Sequence, residues 1–113
     1  MIKIYHNPRC TKSRQGVAFL EEKGVEFKVI RYLEEAFTFQ TLTEVIAELA
    51  IHPMELIRKN EAIWKSNFKG KELSDAQIIQ AMVDFPKLIE RPIVVNKGRA
   101  VIARPTEKIE EVL

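Results

Sequence analysis

The residues best suited to chemistry cluster near the start of the chain. The single cysteine, Cys10, follows an Asn-Pro break and precedes a helical pattern, so we predict that it lies at a helix N-terminus. Free amides and the helix dipole at such a position lower the pKa of a thiol, and Arg9, Lys12 and Arg14 add positive charge. These features predict a reactive thiol, with a buried inert cysteine as the alternative.

Two neighbours of Cys10 are candidates to assist it. His6, four residues earlier, can hydrogen-bond near the thiolate or supply charge, or it is simply an exposed loop residue. Ser13 completes a Cys-x-x-Ser pattern, which is too common to be specific, and an N-terminal helix serine often only bonds the backbone. One cysteine and two distant histidines do not make a zinc ligand set, so no metal site is expected.

Two arginines are candidates to bind an anion. Arg91 precedes an apolar strand pattern and Arg104 follows the next one, each beside a proline. Such residues are usually solvated, but both strands are expected to return beside the first strand, where their ends can converge on Cys10. A guanidinium fork matches a tetrahedral oxyanion. Pro92 is a candidate for a cis peptide bond, and Arg58 ends a helical stretch, where positive charge is favourable.

These side chains need a scaffold, and the opening of the chain predicts strand–helix–strand. Ile2–Tyr5 alternates apolar and polar residues, a helix is expected from Thr11 to Lys23, and Val25–Tyr32 is a second strand pattern. Gly24 is the expected helix stop. A strand–helix–strand order favours parallel pairing with a right-handed crossover.

The middle of the chain predicts helices. Thr41 with Glu44 and Ser74 with Gln77 have the spacing of capping boxes before apolar helical patterns. Pro53 suits the first position of a further helix.

The end of the chain predicts a hairpin and a last helix. Ile93–Val95 and Ala100–Ala103 flank an Asn-Lys-Gly-Arg turn signal, and Pro105 opens the final helix. The whole order predicts an α/β fold, a small mixed sheet covered by helices, which is the order of a thioredoxin-like architecture.

Composition limits the class of protein. With 113 residues, 46% of them hydrophobic, the chain is expected to form one domain over residues 1–113. A net charge of +2 is too mild to predict a nucleic-acid partner. No apolar run approaches the ~20 residues that span a bilayer, and the start lacks the apolar region of a signal peptide. We therefore expect a cytoplasmic protein with no membrane or nucleic-acid partner.

Several segments, in this order, carry a family resemblance. They are Ile4–Cys10, Ser13-Arg14, Tyr32–Glu34, Leu56–Asn60, Leu88–Val95 and Arg104-Pro105. Together they resemble the ArsC family of glutaredoxin-linked arsenate reductases over nearly the whole chain. The resemblance implies a thioredoxin/glutaredoxin-like fold with a helical insertion.

The resemblance also implies a mechanism: a thiolate attacks arsenate, glutathione is the external reductant, glutaredoxin is the partner, and no cofactor is bound. One departure is Thr11-Lys12, where established reductases commonly have Gly-Thr. The site residues that the resemblance implies are Cys10 as nucleophile, His6 and Ser13 as its helpers, Arg58, Arg91 and Arg104 as oxyanion ligands, and Pro92 as a cis proline facing the cysteine.

Three other functions compete with this one. A reductase built on a Cys-x5-Arg phosphate loop is excluded, because the sixth residue after Cys10 is Gly16 and there is no second cysteine. Spx-type regulators, which contact RNA polymerase, usually carry a second cysteine where this chain has Ser13, and lack an Arg104-Pro105 equivalent. Both differences favour a reductase and leave a regulator open. A thiol-dependent reductase of another oxyanion or of a glutathione adduct is the third alternative.

Overall fold

The computed structural model describes all 113 residues, Met1–Leu113, and contains a four-stranded mixed sheet in the order β2-β1-β3-β4. The strands are β1 (Ile2–Tyr5), β2 (Phe27–Ile30), β3 (Ile93–Asn96) and β4 (Arg99–Ile102). As predicted, β1 pairs parallel with β2 and the last two strands form an antiparallel hairpin. The remaining pair, β1 with β3, is antiparallel.

The second strand is shorter than the predicted Val25–Tyr32. Gly24 takes a left-handed conformation (φ 68°) and ends the preceding helix, as expected. The strand ends early because the chain turns at Arg31, whose carbonyl oxygen accepts hydrogen bonds from the amides of Glu34 and Glu35.

Four α-helices and three short 3₁₀ segments complete the chain. The α-helices are α1 (Thr11–Glu22), α2 (Phe39–Leu49), α3 (Ala62–Asn67) and α4 (Asp75–Asp84), and the 3₁₀ segments are Pro53–Leu56, Pro86–Leu88 and Thr106–Val112. The helix predicted at Pro53 begins there but stops after four residues, because Ile57 is extended and pairs antiparallel with Ile89. The last helix is also 3₁₀ rather than α.

The helix caps match the prediction at one of two places. Ser74 and Gln77 form the expected reciprocal capping box of α4. Helix α2 starts a turn earlier than predicted: Thr38 is its N-cap, and Thr41, the predicted cap, is instead the third helical residue and completes the box. The two threonines thus satisfy each other's backbone amides, and Glu44 is not needed for the cap.

The chain forms two compact units, residues 1–35 with 91–113, and residues 36–90. The core of the first unit is made by seven buried side chains of the sheet, α1 and the C-terminal segment: Ile2, Ile4, Leu20, Val94, Ala103, Ile109 and Val112. In the second unit α2 packs against α4. A single domain over residues 1–113 stays a prediction.

Helix α3, which was not predicted, is held by aromatic contacts of the second unit. Trp64 is buried and stacks on Phe68 with ring centroids 5.6 Å apart, and Phe68 meets the edge of Phe85 at 6.0 Å. Such pairs stabilise beyond the area that they bury. None of the helices is long and apolar enough to cross a membrane.

Candidate active site

Cys10 lies at the junction between the first strand and the first helix. The ladder of β1 with β2 extends to His6, whose amide donates to the Ile30 carbonyl at 2.8 Å. The chain then turns, with the Cys10 amide donating to the Asn7 carbonyl at 3.0 Å. Cys10 is the extended N-cap residue of α1 and is partly exposed. This is the placement that the sequence predicted, and it leaves the thiol beside free amides of the helix start.

The turn before Cys10 is fixed by buried polar side chains. The Asn7 amide donates to Ser13 Oγ at 2.9 Å, and Asn7 Oδ1 accepts from the Arg9 amide at 3.0 Å. Asn7 and Ser13 are both buried. Asn7 was predicted only as part of the Asn-Pro break after the first strand, a position typical of turn residues, and not as a residue that holds the cysteine loop.

His6 contacts Ser13 rather than the thiol. Its Nδ1 lies 2.6 Å from Ser13 Oγ. Burial lowers the pKa of His6, the charges of Arg31 and Arg14 lower it further, and a backbone hydrogen bond at Ser13 acts in the opposite sense. The net shift is downward, which favours the neutral imidazole. The contact with Ser13 favours hydrogen bonding near the thiol as the role of His6, and the lowered pKa makes it a weaker source of positive charge.

The pKa of the Cys10 thiol lies below its ordinary value. Burial raises the pKa, but the backbone hydrogen bonds of Ser13 and Lys12 and the hydrogen bond and charge of Arg91 outweigh it. Each of these interactions stabilises the thiolate. The thiol therefore ionises more readily than a free cysteine.

Arg91 and Arg104, two of the three predicted arginines, meet at Cys10. Arg104 Nη2 lies 3.8 Å from Cys10 Sγ, and Arg104 Nε donates to the Arg91 carbonyl at 2.8 Å. The Nε atom of Arg91 is buried and has no hydrogen-bond partner. A buried guanidinium donor without a partner, beside a thiolate, is suited to binding an oxyanion.

The hairpin explains why these two arginines come together. Arg91 lies just before β3 and Arg104 just after β4, and the Ala103 amide donates to the Pro92 carbonyl at 2.9 Å. Lys97 and Gly98, at the other end of the hairpin, both have positive φ, at 51° and 77°, as a tight two-residue turn requires. The short turn returns the chain so that both arginines lie at the same end of the sheet.

The peptide bond before Pro92 is cis, as predicted, and so is the one between Arg104 and Pro105, which was not predicted. Helix α1 packs closely on Pro92 at Gly16. A Cβ atom at Gly16 would lie 3.0 Å from Pro92 Cγ and 3.1 Å from Ile4 Cδ1. Gly16 was not among the predicted site residues. A glycine inside a strong helical pattern was the available signal for such a close approach.

Arg58, the third predicted arginine, lies in the second compact unit. Its amide donates to the Leu88 carbonyl at 2.7 Å. Its guanidinium forms ion pairs with Glu61, from Nη1 at 3.1 Å, and with Glu90, from Nε at 3.2 Å. The two carboxylates that bind Arg58 were not identified from the sequence. No group of three or more His, Cys, Asp or Glu side chains is placed to hold a metal ion.

The site can be compared with those of known proteins. The sequence pattern of the ArsC family matches residues 5–112. The chain belongs to the ArsC family. It is 46% identical to the uncharacterized protein YfgD of Escherichia coli, covering 99% of this chain and 96% of that protein. It is 36% identical to an arsenate reductase of Neisseria meningitidis, covering 99% of this chain and 97% of that one.

Solved structures of the family confirm the thioredoxin-like fold that the resemblance implied. A structure described as arsenate reductase from Vibrio cholerae superposes with a TM-score of 0.95 at 40% identity, covering 99% of this chain and 97% of that one. A putative arsenate reductase from Yersinia pestis gives a TM-score of 0.93 at 42% identity, covering 99% and 100%.

Proposed function

We propose that this ArsC-family protein is an arsenate reductase, with Cys10 as its nucleophile and external thiols as its source of electrons. The observation that carries the proposal is the thiol at the start of α1, with a lowered pKa and with Arg91 and Arg104 beside it. ArsC-family relatives named arsenate reductases, 36% to 38% identical to this chain, support the choice of substrate.

In the first step the Cys10 thiolate attacks arsenic(V). A sulfur–arsenic bond forms, and one arsenic–oxygen bond breaks as a hydroxyl leaves as water, taking up the proton that the thiol gave up. The oxidation state of arsenic does not change in this step. The amides of Lys12 and Ser13, which stabilise the thiolate, raise the fraction of nucleophile at neutral pH.

The arginines act on the negative charge of the oxyanion. The Arg91 Nε atom has a free donor, and Arg104 is held against the Arg91 carbonyl within reach of the sulfur. Donors that are fixed in place before the reaction stabilise charge that develops as the bond to sulfur forms. Arg58 is proposed as a third ligand on the family resemblance, and its ion pairs with Glu61 and Glu90 would restrain its guanidinium.

Reduction requires a second thiol, and this chain has one cysteine. We propose glutathione as that thiol. Its thiolate attacks the Cys10 sulfur, the electron pair of the sulfur–arsenic bond passes to arsenic, and arsenite leaves with protons from water. A second glutathione, through glutaredoxin, then reduces the Cys10–glutathione disulfide and restores the enzyme. A reaction that uses these reductants is expected to take place in the cytoplasm.

The test is arsenite release by the purified protein given arsenate, glutathione and glutaredoxin, compared with Cys10→Ser. The proposal expects repeated turnover by the native protein and only background release by the variant, because serine does not supply a thiolate. Equal release by both proteins would overturn it. Gln15→Ala, an exposed change on the same helix, is a matched control and should release arsenite at the native rate.

A further inference from the structure

Arg14 makes two contacts that have no part in the proposed mechanism, and neither of them involves Cys10 itself. Its Nη1 donates to the Pro8 carbonyl at 2.8 Å, and its Nη2 donates to Thr11 Oγ1 at 3.1 Å. Pro8 lies two residues before Cys10 and Thr11 one residue after it. One guanidinium therefore joins both sides of the cysteine. We call this arrangement, Arg14 with Pro8 and Thr11, the Arg14 clip.

We propose that the Arg14 clip holds the cysteine loop in the conformation that activates Cys10, making Arg14 and Thr11 positioning residues. The effect of the Arg14 clip on catalysis rests on the proposed function. Its effect on the thiol is independent of the substrate.

The thiolate of Cys10 depends on contacts from its own loop. Its stabilisation comes partly from the backbone amides of Lys12 and Ser13. Hydrogen bonds weaken steeply as the donor angle falls below about 120°. These amides stay directed at the sulfur only while the backbone on both sides of Cys10 keeps its orientation.

The backbone on the two sides of Cys10 is fixed by different contacts. On the inner side the loop is held by Asn7 and Ser13, which are buried. On the outer side Pro8 and Thr11 are exposed, and the Arg14 side chain is the contact that joins them. Losing the clip frees the outer side of the loop while the inner contacts remain.

The position of the Arg14 guanidinium, and not its charge, is what the cysteine loop uses. The charge that lowers the pKa of Cys10 comes from Arg91. Arg14 directs its guanidinium at a carbonyl and a hydroxyl instead. A planar guanidinium satisfies two acceptors at once in a fixed geometry, whereas an ammonium is a single point charge. Lysine at position 14 therefore keeps the charge and loses the clip.

The experiment measures the rate of Cys10 alkylation by iodoacetamide against pH. Thr11→Val removes the hydroxyl and no charge, Thr11→Ser keeps the hydroxyl, and Arg14→Lys keeps the charge. We expect Thr11→Val and Arg14→Lys to raise the apparent thiol pKa, lowering the thiolate fraction at pH 7 roughly two- to tenfold, the effect of one hydrogen bond. Thr11→Ser and the control Gln15→Ala should match the native protein. The double variant Thr11→Val/Arg14→Lys should shift no further than either single one.

Two results would overturn the inference. One is a native thiol pKa in Thr11→Val. The other is a native pKa in Arg14→Lys with a raised pKa in Arg14→Ala, which would show that charge acts and not the clip. The substituted side chains are all exposed, and thermal unfolding identifies any variant that fails to fold. If Thr11→Val fails to fold, Thr11→Ala takes its place. Because alkylation needs no arsenate, an inactive native enzyme with the expected shifts would refute the proposed function and leave the clip standing.

Discussion

Gly16→Ala tests how tightly the first helix packs on the site. The new Cβ would lie 3.0 Å from Pro92 Cγ and 3.1 Å from Ile4 Cδ1, and both neighbours are almost fully buried. Each must move by a few tenths of an ångström to reach ordinary contact. Overpacking a filled core costs about 1–3 kcal/mol, and replacing glycine by alanine inside a helix returns about 1 kcal/mol. We expect a net loss of about 1 kcal/mol, or about 4 °C in Tm for a chain of this size.

Urea unfolding followed by circular dichroism measures this loss. The matched control is Ala18→Gly, the reverse change at an exposed position of the same helix. It isolates the helix propensity, so that the packing cost at Gly16 is the sum of the stability lost in Gly16→Ala and the stability lost in Ala18→Gly. Since Pro92 follows Arg91 directly, a displaced proline should also raise the thiol pKa of Cys10. A Gly16→Ala protein that is more stable than the native one by the full propensity gain would refute the close packing.

Three other predictions follow from the site. Arg91→Ala should raise the thiol pKa of Cys10 and weaken arsenate use roughly 10- to 150-fold, since charged hydrogen bonds contribute about 1.5–3 kcal/mol each. Arg91→Lys should recover part of the lost arsenate reduction. Alkylation measures the pKa and steady-state kinetics measure arsenate use, and unchanged values would remove Arg91 from the site. The lowered pKa of His6 means that its stabilising effect is complete above the unfolded value near 6.5 and is lost as pH falls toward the folded value. Urea unfolding of native protein and His6→Gln across this range should show the variant losing less stability on acidification, and parallel curves would contradict the shift. Without added thiol the protein should form at most one arsenate adduct per chain, and several arsenite molecules released per chain in thiol-free buffer would contradict the single-cysteine scheme.

Much of the scaffold around Cys10 was predictable because its signals are local. The alternation of β1, the glycine after α1 and the turn at Lys97-Gly98 depend on neighbouring residues alone. Helix α3 was missed because six residues carry little periodicity, and what holds it is the contact of Trp64 and Phe68 with Phe85 far along the chain. Tertiary contacts of this kind have no signature in a short window.

The candidate site likewise has parts that the sequence predicts and parts that depend on contacts between distant segments. The meeting of Arg91 and Arg104 at Cys10 followed from strands that return beside the first one. The pairing of Arg58 with Glu90 was not predictable, because it depends on the bridge that joins Ile57 to Ile89. Nor did the sequence reveal that the pKa of His6 is lowered, since the shift follows from burial and from the charge of Arg31.

The hairpin of β3 and β4 also has a consequence for the order in which the site forms. Arg91 and Arg104 are 13 residues apart, whereas Arg104 and Cys10 are separated by 94. A short loop closes at little entropic cost, and a long one closes late. The pair of arginines can therefore assemble within a local segment, but the thiol gains its cationic neighbours only when the two ends of the chain meet. During synthesis the cysteine emerges long before that segment does, and until the last strands dock its pKa lacks the lowering that Arg91 contributes. The full lowering of the thiol pKa is thus a property of the finished fold, and the rate of Cys10 alkylation at neutral pH reports complete folding.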